Sequence, residues 1–430
     1  MPGIDFDETF SPVVRYDSLR LLMAIAASKS WKPQQLDIKS AFLYGKLDEE
    51  IYMHLPEGNR ISGKVCKLNK SIYGLKQSPR QWNERLTTFL LEYGFKPTAF
   101  DPCVLVHDTK ELIIAIYVDD ISLWGAPGRL MDTTKQLLES EFQVTDLGDL
   151  HWLLGIKIDL TQLGITISQT AYIDKILERF GMKDCHSVTT PIDPNDHYVS
   201  VTEDERIADP SLYQQIIGSL MYTVIATRPD LAFTVTHLSQ FNSCPSETHL
   251  KAAKRVLRYL KGTRDWQLNF PINTPFALEG YCDASYGNDI DTRRSFSGYL
   301  FQLGKATICW RSRKQRSVAT STPEAEYMAL CLATKQHVWL QRALSELLTN
   351  EVPAALFSDN TGAIEIANKS KINDRTKHID IQYHYVRENV LDGTVTLLHV
   401  DGKENLADIC TKGVPKSRID YLSPRIKATK

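Results

Sequence analysis

No apolar run in this 430-residue sequence approaches the ~20 residues that a membrane-spanning helix requires. The first residues, Met1-Pro2-Gly3-Ile4-Asp5-Phe6-Asp7, lack the basic and apolar regions of a secretory signal, so a cytoplasmic or nuclear location is expected. Cysteines are few and dispersed. There are eight, and the two nearest, Cys309 and Cys331, lie far beyond C-x-x-C spacing. This excludes a zinc clamp or redox couple of that kind and leaves buried, reduced thiols. An excess of either charge is also missing. The formal charge of −2 excludes a uniformly basic coat, although local patches and metal ions can still meet phosphate. What remains is an ordinary globular composition, 43% hydrophobic and 24% charged, in a chain too long for one core. Two or three domains are expected.

The most informative stretch is Ile113-Ile114-Ala115-Ile116-Tyr117-Val118-Asp119-Asp120-Ile121-Ser122-Leu123-Trp124, an apolar run broken by two carboxylates. It reads as a buried hairpin with Asp119 and Asp120 at the bend. Adjacent anions between apolar strands repel each other and lose hydration, so they take up a proton or recruit a cation. A solvated Asp-Asp turn fits this stretch equally well. A further carboxylate upstream favours the cation. In Gln35-Leu36-Asp37-Ile38, alternation turns Leu36 and Ile38 to one face of a strand and Asp37 to the other. Oxygen ligands of this kind suit Mg²⁺ or Mn²⁺.

These residues carry a resemblance. Tyr117-Val118-Asp119-Asp120 resembles the Y-x-D-D box of reverse transcriptases, and the stretch around Asp37 is similar to the palm motif supplying their other metal ligand. Phe42 falls where that family keeps an aromatic gate against the ribose 2′-hydroxyl. Ser71-Ile72-Tyr73-Gly74-Leu75-Lys76-Gln77-Ser78-Pro79-Arg80-Gln81-Trp82 is more specific and resembles the polymerase of copia-type LTR retrotransposons. The resemblance puts Lys76, Gln77 and Arg80 against nucleotide and template, with Tyr117 beside them. A solvated helix entrance is the alternative for that loop.

Periodicity places the other elements. Leu19, Leu22, Met23 and Ala26 predict a helix, capped at Asp17-Ser18. A second, with Ser78 as cap and Pro79 in its first turn, presents Trp82, Leu86, Phe89, Leu90 and Tyr93 and stops at Gly94. Leu130 to Phe142 predicts a third. Alternation at Trp152–Ile158 and Ile165–Ile167 predicts a hairpin, and Ile173–Phe180 a helix. By resemblance these two are primer grip and thumb. A polar stretch over 186–210, with an acidic cluster at 203–205, reads as a linker or a functional loop. On the last of the helical patterns that follow it, Lys251, Lys254, Arg255 and Arg258 share one face, which suits either a duplex backbone or solvent.

From Trp266 short strands come first and helices later, a mixed sheet covered by helices. Asp283, Glu326, Asp359 and Asp408 sit where strands end or helices begin. Their order resembles the D-E-D-D set of ribonuclease H, which places Asp408 on its final helix. Glu326 is preferred over Glu324, and Asp401 is the alternative to Asp408. His378 and His384 match no metal spacing and are read as structural. Arg311, Arg313, Lys314 and Arg316 form a basic loop able to hold phosphates.

The expected class is therefore α/β (α+β): a right-hand polymerase palm and thumb, then a helical connection and a ribonuclease H-like domain. The segments are 1–160 (palm with partial fingers), 161–265 (thumb and connection) and 266–430 (ribonuclease H-like). The resemblance implies two Mg²⁺ (or Mn²⁺) ions per site, held by Asp37, Asp119 and Asp120 and by Asp283, Glu326, Asp359 and Asp408. The implied partners are RNA template, DNA primer, RNA–DNA hybrid and deoxynucleotides, in a cytoplasmic virus-like particle or the nucleus, with a homo-oligomer or an integrase complex as further expectations. In that family basic fingers strands precede the Asp5-to-Val13 segment with which this sequence opens, and protease and integrase regions accompany them. A weakened polymerase is expected on that ground. Its alternatives are a nuclease alone or a non-enzymatic nucleic-acid-binding relic.

Overall fold

A computed structural model describes residues 9–58, 63–201, 206–368 and 380–429. The segment before Thr9, the acidic cluster at 203–205 and His378 lie outside the described residues. Two compact units are present, one built mainly from Ser30–Leu150, the other mainly from His151–Leu344 and Glu351–Lys430. Both mix helix and sheet.

In the first unit the elements are α1 (Tyr16–Ser28), β1 (Gln34–Ile38), β2 (Tyr52–His54), β3 (Val65–Lys67), α2 (Ser78–Glu92), β4 (Phe95–Pro97), β5 (Val104–His107), β6 (Leu112–Tyr117), β7 (Asp120–Gly125), α3 (Arg129–Glu141) and β8 (Val144–Asp149). Six strands form an antiparallel sheet in the order β4-β5-β6-β7-β1-β8. Alternation explains its cover. Leu36, Ile38, Ile114, Ile116, Ile121 and Leu123 meet Trp82, Leu86 and Phe89 of α2 and Met131 and Leu138 of α3 in one core. Phe142 seals it, with edge-to-face contacts to Trp82 (5.3 Å) and Phe89 (5.2 Å). The predicted Ser78 cap is not formed: Gln77 is the cap residue, and the Ser78 hydroxyl instead donates to the Ile72 carbonyl, 2.6 Å away. Ser18 likewise lies inside α1, donating to Asp101.

The second unit contains β9 (Trp152–Leu153), β10 (Ile156–Thr161), β11 (Gly164–Ser168), α4 (Thr170–Arg179), α5 (Pro210–Ala226), α6 (Ala232–Ser239), α7 (Glu247–Gly262), β12 (Gln267–Pro271), β13 (Leu278–Ser285), β14 (Phe296–Leu303), β15 (Ala306–Lys314), α8 (Thr322–Leu347), β16 (Ala354–Ser358), α9 (Thr361–Asn368), α10 (Asp380–Leu391), β17 (Leu397–His399) and α11 (Lys416–Lys427). One sheet runs β12-β11-β10-β9, the other β15-β14-β13-β16-β17. In the latter, β13–β14–β15 is antiparallel and β13–β16–β17 parallel, so helices must connect the parallel strands. Helix α8 buries Tyr327, Leu330, Thr334, Val338 and Leu344, the face that its periodicity predicted. Strand β12 pairs along its length with β11, which joins the segments expected as 161–265 and 266–430 in one sheet. No local pattern encodes that pairing.

The cationic face of α7, read as suiting either a duplex backbone or solvent, is partly engaged within the chain. Arg255 donates to the Thr190 hydroxyl at 2.9 Å, Arg258 to the His186 carbonyl at 2.7 Å and Lys261 to the Cys185 carbonyl at 2.7 Å. The polar stretch lies along this helix as a strap. A hydroxyl and two backbone carbonyls of this chain therefore engage Arg255, Arg258 and Lys261.

Candidate active sites

In the first unit the β6–β7 hairpin closes with two residues between Tyr117 and Asp120, which pair directly. Val118 takes the first central position at φ +57°, unusual for a β-branched side chain. The Trp82 indole N–H donates to the Val118 carbonyl at 2.7 Å, anchoring the turn to the core. On the other side of β7, Asp37 lies directly opposite Asp120. The register thus brings Asp37, Asp119 and Asp120 to one end of the sheet, all half-buried. Burial raises the pKa of Asp120, the charges of Asp119 and Asp37 add to the rise, and an amide hydrogen bond from Gln35 (3.2 Å) opposes it.

The predicted substrate contacts are placed as follows. Phe42 follows a left-handed Ser40 in a short 3₁₀ turn and packs edge-on against Tyr73, centroids 4.6 Å apart. Tyr117 and Arg80 are half-buried and Lys76 is exposed. Gln77 faces inward: it is 5% exposed, with its amide nitrogen 3.4 Å from Glu49. The neighbouring Gln81 donates to Asp48 at 2.8 Å, so both amides hold acidic side chains.

In the second unit, three acids converge. Asp283 stands near the end of β13, Glu326 in the first turns of α8, and Asp359 directly after β16. One oxygen from each lies within 4.8 Å of the others. Among the described residues this is the one acid cluster that closes to such spacing; Asp37, Asp119 and Asp120 do not. Burial, then the charges of Asp283 and Asp359, push the Glu326 carboxyl up to about 9. Burial pushes Asp283 up to about 6, with Lys412 opposing. The buried Oε2 of Glu326 has no hydrogen-bond partner. An oxygen-only donor set with one orphaned buried oxygen fits a hard divalent ion.

Asp408 departs from expectation. It lies on a 3₁₀ turn, Leu406–Cys410, rather than on the final helix. Its carboxylate is bound by Lys412 (2.7 Å) and by Arg418 of α11 (2.7 Å). Arg418, in the first turn of α11, also donates to the carbonyls of Gly402, Lys403 and Asn405, locking the turn in place. Asp401, the alternative, caps a neighbouring turn by accepting the Lys403 N–H. Glu324 accepts the N–H and hydroxyl of Thr320 at 2.7 Å and serves the start of α8.

Four residues at these sites escaped sequence reasoning. The Thr411 hydroxyl donates to Asp283, and the Lys412 ammonium stands 3.8 Å from Asp283 while paired to Asp408. Burial works against the Lys412 charge, but Asp283 and Asp408 outweigh it and raise its pKa. The spacing of Lys412, four residues after Asp408, was a readable signal. So was Gln35, two residues before Asp37 on the same strand face. Trp82 had none, because its partner lies 36 residues away. Lys412 acts as a tethered cation beside the trio. Lys412→Ala should tighten Mn²⁺ binding roughly tenfold: a unit charge 3.8 Å from Asp283 interacts by up to about 4 kcal/mol at an effective dielectric near 20, and the exposure of the Lys412 side chain screens this to about 1.4 kcal/mol. Calorimetric titration reads this, and an unchanged affinity would show that the side chain swings clear.

The chain is similar to known proteins. A family model described as reverse transcriptase (RNA-dependent DNA polymerase) matches residues 1–194. The retrovirus-related Pol polyprotein from transposon TNT 1-94 of Nicotiana tabacum is 41% identical over 432 residues, covering 97% of this chain and 32% of the relative. A putative transposon Ty5-1 protein of Saccharomyces cerevisiae is 34% identical over 300 residues, covering 68% of this chain and 97% of the relative. Among solved structures, a ribonuclease H1 isolated from compost aligns at 14% identity and TM-score 0.26, over 31% of this chain and 92% of that one. The chain spans about a third of the length of the tobacco polyprotein. It belongs to the reverse-transcriptase-bearing Pol polyproteins of copia-type retrotransposons.

Proposed function

We propose that the chain is an RNA-directed DNA polymerase in its first unit and an RNA–DNA hybrid ribonuclease in its second. The observation carrying the reading is the buried trio Asp283, Glu326 and Asp359, whose oxygens lie within 4.8 Å of one another with one left unpartnered. Magnesium or manganese held there, and by Asp37, Asp119 and Asp120, would neutralise charge on the attacking and leaving oxygens of an in-line displacement at phosphorus. Asp283 and Glu326 hold protons more readily than ordinary carboxyls, so they release them as the cation binds. Thr411 orients Asp283, and Trp82 holds the turn that presents Asp119. In the first unit the reaction would join a primer 3′-hydroxyl to a nucleotide α-phosphate; in the second, water would attack the RNA backbone.

A second reading, the ribonuclease alone, is favoured by the inward-facing Gln77 and by the wider spacing of the polymerase acids. One assay separates the two. Labelled RNA annealed to a differently labelled DNA primer is incubated with Mg²⁺ and deoxynucleotides, alongside Asp120→Asn and Asp283→Asn proteins. Extension lost only in Asp120→Asn and RNA cleavage lost only in Asp283→Asn is the expected result. Cleavage without extension would leave the ribonuclease alone, and folded protein with neither activity would overturn both readings.

A further inference from the structure

Helix α5 ends at Thr227, and a 3₁₀ turn, Pro229–Leu231, leads straight into α6. Proline just past a helix end is a common stop, because it has no N–H to continue the ladder. At this corner two charges are shut away from water. The Arg228 and Asp230 side chains are both 0% exposed and form a two-pronged pair, Nε to Oδ1 at 2.9 Å and Nη2 to Oδ2 at 2.7 Å. Nη2 also donates to the Thr263 hydroxyl at 2.7 Å and Nη1 to the Thr263 carbonyl at 3.3 Å. The Trp266 ring lies 4.9 Å and the Tyr259 ring 5.5 Å from the guanidinium carbon. One side chain thus joins the end of α7 to the corner after α5.

Stability is a poor reason for this arrangement. Taking two charges out of water costs much of what their attraction returns, and apolar side chains of similar volume often serve as well. What the fork adds is orientation. Two parallel bonds fix the carboxylate in direction as well as distance, and a lysine cannot form both.

The corner bears on the nuclease acids through one intermediary. The Pro229–Leu231 turn lies against the 3₁₀ turn Leu406–Cys410, which itself rests on β13 and β14. Burial, then the charge of Asp283, holds the Cys410 thiol above its ordinary range, and Asp230 adds to the rise, so one buried sulfur senses both carboxylates. On its strand side Cys410 has no room to yield, since a Cβ on Gly298 would come within 2.7 Å of its own. Next in the chain stands Thr411, fully buried, whose hydroxyl donates to Asp283. We infer that Arg228 and Asp230 are positioning residues for Asp283: their pair sets the height of the turn on which residues 406–410 seat, and with it the aim of the Thr411 hydroxyl. The inference rests on the ribonuclease reading for its effect on cleavage, not for its effect on ion binding.

The test is a double-mutant cycle in the full chain. Arg228→Lys keeps the charge and loses the fork; Thr411→Val keeps the shape and loses the bond to Asp283. Arg228→Lys alone should lower kcat for hybrid cleavage about tenfold, inside the ~hundredfold that a 1 Å displacement can cost, and leave KM within about twofold. In the Thr411→Val background the same change should cost less than about twofold, because residues acting along one path are not additive. The cycle is read a second time as Mn²⁺ affinity by calorimetry, in chains carrying Asp120→Asn to weaken the other acid site, and should show the same shortfall. Arg228→Met combined with Asp230→Leu removes both charges without stranding one, and should melt near the parent while keeping the loss of kcat. Additive effects, whether on kcat or on Mn²⁺ affinity, or a parental kcat in the apolar pair, overturn the proposal. Coupled Mn²⁺ affinities in a protein whose parent never cleaves RNA would sustain the positioning role and reject the ribonuclease reading.

Discussion

In a chelating buffer, Glu326→Gln protein should melt higher than its parent at pH 9, and the difference should vanish near pH 4. Burial and the neighbouring Asp283 and Asp359 hold the Glu326 pKa at about 9, well above the ordinary glutamate value of 4.5. Between these values the folded protein keeps a proton that the unfolded chain has released. Unfolding then liberates a proton, so each rise in pH favours the unfolded state. The stability is intact below the unfolded pKa and is lost as pH climbs through about 9. One such group changes stability by at most about 1.4 kcal/mol per pH unit, which accumulates to several kcal/mol across the window. Asp283 acts in the same direction between 3.8 and about 6. His237 and His337, both pushed down to about 4 by burial, act oppositely on the acid side, so only the difference between variant and parent isolates Glu326. Glutamine keeps the shape without the charge. Saturating Mg²⁺ should reverse the ranking by stabilising the parent more than the variant. Parallel melting profiles of parent and variant in chelator would show that Glu326 is not held protonated.

Gly298→Ala should lower both the melting temperature and RNA cleavage. Gly298 lies on β14 directly across from Asp283, and the 3₁₀ turn carrying Asp408 packs on it. A Cβ there would sit 2.7 Å from the Cys410 Cβ, 2.7 Å from the Thr411 Cγ2 and 3.1 Å from the Cys410 carbonyl carbon. The Cys410 Cβ and carbonyl carbon have no rotamer to retreat into, and turning the Thr411 Cγ2 aside would also swing its hydroxyl away from Asp283. Overpacking of this kind costs about 1–3 kcal/mol. The displacement falls on Thr411, which orients Asp283, and on Asp408 two residues from Cys410. Misplacing reacting groups by ~1 Å can reduce a rate about a hundredfold, the loss expected for cleavage. Gly218→Ala on α5, where a Cβ meets no atom within 4 Å, is the control and should stabilise by about 0.5–1 kcal/mol. Wild-type cleavage by Gly298→Ala would mean that the turn moves without carrying the acids along.

Much of this was written locally. The hairpin around Asp119 and Asp120, the strand bearing Asp37 and the buried face of α8 follow from alternation and helical spacing, because one buried face imposes its period on the sequence. What escaped is nonlocal. Gln77 reads by resemblance as a nucleotide contact, or else as part of a solvated helix entrance, until the fold sets Glu49 beside it, and the cations of α7 read as open to a duplex or to solvent until the strap engages Arg255 and Arg258. Asp408 was expected by resemblance on the final helix, but the Asn405 side chain caps a short turn there, accepting the Ala407 N–H and donating to the Cys282 carbonyl. Such a link between residues 123 positions apart leaves no periodic trace.

The pairing of β11 with β12 also sets a schedule on the ribosome. Ile165 and Ile167 leave the exit tunnel in a hairpin whose outer edge is meant for Leu268 and Phe270, about a hundred residues later. At 5–20 residues per second that edge stays open for roughly 5–20 seconds, with its backbone groups offered to any passing strand. Synthesis of α5, α6 and α7 fills the interval. A nascent-chain crosslink placed at Thr166 would therefore capture whatever shields the edge during that wait, and would fall silent once Asn269 emerges opposite it.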